Sequence, residues 1–486
     1  MNKPAKNKPT YDQLQAKVAY LESELATLKR LVFGQKRERF IPEGDENQLS
    51  LLGESEPSEP ASKKEKITYT RTRKTEKKHP VRKLLPADLP RRVRIIEPEE
   101  NVEGMKKIGE EVTEELEYKP GTFYVNRYVR PKYALPEGEG ICIGTLPTRP
   151  IEKGIAGPGL LAHINISKFV DHLPLYRQQQ QFTRVGVNLA SSTLTGWVRS
   201  TYRLCHPLVS LIREQVVSSD YLMVDETPIS VQDAAVKGKN HQGYYWVYYD
   251  PLRRRLFFDY KKRRSRDGPN KILKDFSGHL QTDGYAGYNQ LGKKEDVIPM
   301  GCMAHARRKF VDAQQSAPDK AEWMLRQLQK LYTVEADARK NDLSCEERYL
   351  HRRKKSAAVM QEIKQWLDSQ ALTVRPKSAL GKAISYMLKQ WQRLEVYLTD
   401  GRLEIDNNLV ENAIRPVALG RKNYLFAGSH NGATWAAGIY TLVANAKLHN
   451  VEPFTYLRDI IYRIADHPYK KLDQLLPENF KEQYSE

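Results

Sequence analysis

The chain has 486 residues, with 79 Lys and Arg against 60 Asp and Glu, for a formal net charge of +19. A hydrophobic fraction of 40% and a charged fraction of 29% exclude a collagen-like or wholly disordered polypeptide, and no apolar run reaches the ~18 residues of a membrane span. The length predicts roughly two to four folded units, and the positive surplus makes a polyanion the expected partner, nucleic acid first, with a solvated basic surface as the alternative.

The N-terminus, MNKPAKNKPT, lacks the apolar stretch of a secretory signal. Leu14, Val18, Leu21, Leu25, Leu28 and Val32 share one helical seam. This predicts an amphipathic or coiled-coil helix within residues 1–41, suited to self-association or to docking on its own protein. Residues 42–83 read as a Glu-, Ser- and Pro-rich linker followed by a basic arm, from Lys63 to Lys83. Residues 84–150 alternate strand-like pieces with Pro and Gly turns and predict a small β-rich module.

Residues 151–215 predict helices with a break at Gly186. From Arg184 to Val198 the pattern is helix, turn, helix. Arg184, Ser191, Ser192, Thr193 and Thr195 are polar groups able to reach bases or phosphates, and Trp197 and Val198 pack inward. An ordinary αα-hairpin is the structural alternative.

From residue 221 the texture becomes that of strands: Tyr221–Asp225, Tyr244–Tyr249 and Arg255–Tyr260. A helix near 269–276 follows, then short strands at 278–284 and 296–303. The order βββαβ with acids at strand ends is that of a ribonuclease-H-like α/β core. Residues 304–395 predict a helical insertion, the core closes near residue 430, and residues 431–486 form a C-terminal helical region. The fold class is multidomain α+β.

Three acids stand out: Asp225 and Asp283 at strand ends, and Glu411 on a helix opened by Asp406-Asn407-Asn408. Phosphoryl transfer on DNA needs two divalent cations roughly 4 Å apart. Mg2+, with Mn2+ as substitute, prefers carboxylate oxygens. Each acid has a structural alternative. Asp233, Asp250 and Asp259 compete with Asp225. Asp283 suits a turn with Gly284. Asn408-x-x-Glu411 reads as a capping box, and Glu404 competes as third acid.

The chain resembles transposases of the insertion sequence 66 family, within the DDE superfamily. The matching stretches are Leu28–Lys36, Leu222–Pro228, Leu280–Tyr285, Ala304–Phe310, Ile405–Pro416 and Gly420–Ser429. The resemblance implies catalytic and metal-binding roles for Asp225, Asp283 and Glu411. It implies cleavage at the ends of an insertion sequence and joining to target DNA. A non-catalytic DNA-binding regulator and a nuclease without strand transfer are the rival readings. Arg307, Arg308, Arg415, Arg421, Lys422 and Tyr424 are candidate DNA contacts, with His305 beside them and a basic loop from Lys261 to Arg266.

Family members carry a zinc module built on paired cysteines. Here the cysteines are Cys142, Cys205, Cys302 and Cys345, without CxxC. A structural zinc site needs four N or S ligands, and Cys142 with His79 falls short. The expectation is therefore no zinc. The expected partners are double-stranded DNA, both element ends and target, a second copy in a homodimer or larger assembly, and accessory proteins of the same element, without a membrane. The expected location is the bacterial cytoplasm, on the nucleoid.

Overall fold

The computed structural model describes residues 121–130, 132–134, 141–143, 145, 147–152, 154–233 and 239–482. The N-terminal seam, the linker and the basic arm lie outside the described residues. Two compact units are present, one holding the described residues up to 145 and the other running from Pro147 onward. In the first, β1 (Lys132–Ala134) pairs antiparallel with β2 (Ile141–Ile143).

The second unit is a mixed α/β structure. It opens with α1 (Pro158–Phe169), α2 (Leu175–Arg184) and α3 (Ser191–Val217). A five-stranded sheet follows: β3 (Tyr221–Gln232), β4 (Asn240–Asp250), β5 (Arg255–Lys261), β6 (Gly278–Gln281) and β7 (Val297–Met300). Its order is β5-β4-β3-β6-β7. The β3–β4–β5 meander is antiparallel, and β6 and β7 run parallel to β3. Tyr221–Val224 of β3 and Tyr245–Asp250 of β4 are continuously buried, as strands covered on both faces must be. A short helix, α4 (Asp267–Ile272), links β5 to β6.

Four helices separate β7 from the last part of the chain: α5 (Met303–Ala313), α6 (Pro318–Lys340), α7 (Cys345–Thr373) and α8 (Ala379–Glu395). Then come α9 (Asn408–Tyr424), α10 (His430–Leu448) and α11 (Pro453–Arg463). No helix among the described residues is long and apolar enough to cross a membrane.

The β5 edge is closed by side chains of α10. The Asn445 amide accepts from Leu256 N–H at 3.0 Å and donates to the Leu256 carbonyl at 2.7 Å. Thr441 Oγ1 accepts from Phe258 N–H at 3.0 Å. These bonds satisfy backbone groups that a bare edge would leave open to another chain. Asn445→Ala strands two buried backbone groups of Leu256. The expected loss is about 2–4 kcal/mol, read as a lower urea midpoint at unchanged m-value.

Candidate active site and DNA interface

β3 delivers the first acid from the middle of the sheet. Asp225 is opposite Val247 of β4, and its Oδ1 accepts the Glu226 N–H at 2.8 Å. β6 stops at Gln281, and Asp283 lies two residues beyond it. Asp283 Oδ1 accepts from Tyr285 N–H at 2.8 Å, so the residue does form the predicted turn. Gly284 makes that turn at φ +85°, where glycine is unstrained. The turn is braced by α8, because Tyr386 donates its hydroxyl to the Asp283 carbonyl at 2.9 Å.

The close cluster contains a residue the sequence reading did not select. Asp225, Glu226 and Asp283 each offer an oxygen within 4.8 Å of the others. Glu226 Oε1 accepts from Arg264 Nε at 2.6 Å, and Oε2 accepts from the Tyr288 hydroxyl at 2.8 Å. The Arg264 guanidinium stacks 3.9 Å from the Tyr285 ring centroid. Arg264 belongs to the basic loop, so one member of that loop is fixed at the acids.

Burial, then the Glu226 and Asp283 charges, push the Asp225 carboxyl well above the usual carboxylate range, with Glu411 adding to the effect. Burial likewise raises Glu226, against the opposing pull of Tyr288 and Arg264. Crowded, half-desolvated carboxylates of this kind repel one another until a cation arrives. An all-oxygen donor set fits a hard divalent ion.

Glu411 stands in the first turn of α9. Its carboxylate is 3.7 Å from His305 Nε2 and 3.9 Å from an Arg308 nitrogen, both on α5. The capping-box alternative does not form. The helix N-cap is Asn407, without a side-chain cap bond, and Asn408 instead donates to Asp406 at 2.8 Å. Glu404 is taken by Arg348 in a bidentate pair at 2.9 and 3.0 Å. The rivals of Asp225 are occupied too. Asp250 holds the β4–β5 turn through Leu252 N–H, Asp259 pairs with Lys261, and Asp233 meets His430.

The candidate DNA contacts fall in separate places. α2 and α3 flank a turn with Gly186 at φ +85°. Arg184, Ser191, Ser192 and Thr195 are exposed and Thr193 half-buried, while Leu194, Trp197 and Val198 are buried. Thr195 donates its hydroxyl to the Ser191 carbonyl. Arg307 and Arg308 lie on α5, with Arg308 beside Glu411. Arg415 and Lys422 are exposed on α9. Arg421 donates to the Pro228 carbonyl of β3, and Tyr424 turns inward, its hydroxyl 2.7 Å from that of Tyr440 and Lys168 above its ring.

Comparison with known proteins identifies the family. Residues 153–435 match the transposase IS66 family, and residues 441–477 match the IS66 C-terminal element. Residues 20–94 match the transposase C of IS166 homeodomain, and residues 101–135 match the zinc-finger binding domain of transposase IS66. All four stretches therefore match domains of transposases. The chain belongs to the IS66 transposase family. Among its relatives, the uncharacterized protein y4hP of Sinorhizobium fredii is 32% identical over 96% of this chain and 89% of its own length. The uncharacterized protein y4jD of the same organism is 33% identical over 97% of this chain and 96% of its own. No solved structure matches the chain.

The match over 101–135 corrects one expectation. The absence of zinc was inferred by counting local ligands, and the module is instead recognised as the family's zinc-finger binding domain. A domain is defined by its whole pattern of apolar and turn positions, which ligand counting ignores. The matched run itself contains neither Cys nor His, and Cys142 and His79 flank it.

Proposed function

We propose that this chain is a DDE-type transposase that binds the ends of its insertion sequence, cuts there and joins the freed end to target DNA. The observation that carries this reading is the convergence of Asp225, Glu226 and Asp283 within 4.8 Å, with Glu411 on the adjoining helix. The strand order β5-β4-β3-β6-β7, followed by a helical insertion ahead of α9, supports a ribonuclease-H-like core.

In this reading Asp225 and Asp283, with Glu411, would hold two divalent ions, Mg2+ by the oxygen chemistry of the donors. Ions bound there would lower the cost of forming the attacking oxygen and stabilise the leaving one. The chain supplies the rest. The buried floor of the sheet fixes the carboxylates, so little reorganisation is needed at the moment of reaction. Tyr288 and Arg264 hold the Glu226 carboxylate in place and oppose the upward push of its burial. His305 and Arg308 hold the Glu411 carboxylate. First a phosphodiester at the element end is hydrolysed to release a 3′-hydroxyl. That hydroxyl then attacks a target phosphodiester in line and displaces the target strand's 3′-oxygen, which leaves as a hydroxyl, so one phosphodiester is exchanged for another and no covalent bond to the protein forms.

Affinity comes from phosphate contacts and should fall steeply with salt. The exposed side chains at the start of α3 would read or position the end sequence. Two copies would hold the two ends together, and accessory proteins of the element would act with them.

The test is cleavage and joining of labelled DNA carrying the element's own ends, with Mg2+, for wild type and Asp225→Ala. Joined product from wild type alone is expected. Cleavage without joining would favour the nuclease reading, and specific binding with neither would favour the regulator.

A further inference from the structure

We propose that the turn at Leu425 and Phe426 is an apolar wedge that enters duplex DNA about six base pairs from the catalytic centre and opens a base step. The proposal rests on the DNA-processing reading above and adds a contact that reading does not use.

α9 ends in an unusual way. Leu425 sits at φ +61°, ψ −44°, and Phe426 N–H donates to the Tyr424 carbonyl at 2.6 Å. This is a γ-turn with a leucine at its centre, in a conformation that glycine adopts freely and leucine does not. Helices commonly end on glycine at such positions, yet the nearest glycine downstream is Gly428. A strained residue held in place is a pointer to function.

The turn is clamped on both sides. Before it, Arg421 donates to the Pro228 carbonyl and Tyr424 meets Tyr440. After it, Ala427 N–H donates to the Ser230 carbonyl at 2.8 Å, and Gln232 N–H donates to the Ala427 carbonyl at 2.8 Å. The tip is thereby riveted to the outer end of β3. What it presents is apolar: Leu425 is 67% exposed and Phe426 39%. Two adjacent large hydrophobes held rigidly in water call for a partner.

Charge selects that partner. Lys422 and Arg415 are exposed on the same helix, and Arg421 beside Lys422 in sequence is half-buried and donates to the Pro228 carbonyl of β3. A rigid apolar tip behind cations matches proteins that insert Leu or Phe between base pairs while basic groups hold the phosphates. Position agrees as well. Glu411 opens the helix that the turn closes, so the two are separated by 14 residues, or about 21 Å of helix. A duplex running along α9 from the acids would meet the tip within about six base pairs. Opening the helix there would relieve the bend or pairing that hinders access to the scissile phosphate.

The test uses the full chain and an end duplex carrying 2-aminopurine at successive positions near the cleavage point. Ca2+ replaces Mg2+ so that binding is read without cleavage. Wild type should raise the fluorescence several-fold at one step. Phe426→Ala and Leu425→Gly should lose that rise, with Kd within about threefold, because phosphate contacts dominate affinity. Leu425→Gly relaxes the backbone, so its loss of signal cannot be laid to misfolding. Binding by wild type without any rise, or a full rise in both variants, overturns the wedge. So does a variant that loses only self-association on sizing, which would assign the tip to a second copy. No duplex binding at all by wild type would instead refute the DNA reading itself, and the wedge with it.

Discussion

Asp225→Asn should abolish strand cleavage and joining, yet unfold at a higher temperature than wild type. The loss follows from removing a carboxylate that holds a divalent ion. An ion in such a site contributes several kcal/mol to the transition state, so the rate should fall by roughly 10³-fold or more. The gain follows from the empty site. Asp225 is buried among Glu226, Asp283 and Glu411, and its ionised form is disfavoured by all of them. Asparagine keeps the shape and removes the charge. A gain of ~1 kcal/mol would raise the midpoint by about 2 °C in a unit of this size. Adding Mg2+ should stabilise wild type through binding to the folded state and leave the variant nearly unchanged. Thermal melts of both proteins, with and without Mg2+, check this. A variant that melts lower than wild type without metal would show that the acids are not in mutual conflict.

Part of this site was legible from the sequence, and the remainder was hidden for identifiable reasons. Asp225 directly follows the apolar run Tyr221–Val224, and Asp283 closes the short stretch from Gly278 just before Gly284, so each is marked by its place after a strand. Glu226 does not stand out, because neighbours along a strand are expected on opposite faces. Only the structure shows Asp225 folding back onto the Glu226 N–H while Arg264 and Tyr288 hold the glutamate. Both partners are distant in sequence, beyond the reach of any local pattern.

The expected strand ends at Asp225, seven residues short of where β3 stops. The strand continues to Gln232 because β6 pairs only with Tyr221–Met223, leaving the edge beside Pro228 free of a ladder. The choice between Glu411 and its cap was undecidable from Asn408-x-x-Glu411 alone. It turned on Asp406, which takes both the Asn408 N–H and its side-chain amide, and so releases Glu411 from capping. Tyr424 stands beside Arg421 and Lys422 in the sequence, which marks it as a candidate DNA contact. The period of α9 turns it toward Tyr440 instead.

Arg352→Met should be the most destabilising single change in the helical insertion, at about 3–5 kcal/mol, the cost of breaking a buried ion pair. Arg352 is fully buried on α7 and donates to Glu335 of α6 at 2.7 and 2.8 Å. It also donates to the carbonyls of Tyr397, Asp400 and Leu403. These carbonyls lie in the segment joining α8 to α9, so one guanidinium ties the insertion to the approach to Glu411. Methionine leaves Glu335 buried with Arg348 as its remaining partner, and frees the segment. Urea unfolding reads the stability, and a fall in cleavage rate beyond any loss of folded protein reads the displaced Glu411. The pair with Glu335→Leu should recover part of the stability, because two apolar side chains in contact avoid the stranded charge. The pH dependence has a definite sign. Burial alone would raise the Glu335 carboxyl, but Arg352 and Arg348 outweigh it and hold it below its usual value. Such a carboxylate gives stability that is complete above its unfolded value near 4.3 and is lost as pH falls through the lower folded value. The gap between wild type and Glu335→Gln should therefore close as the pH drops below about 4. A gap that persists at acid pH would mean that packing, not charge, supplies the contribution of Glu335.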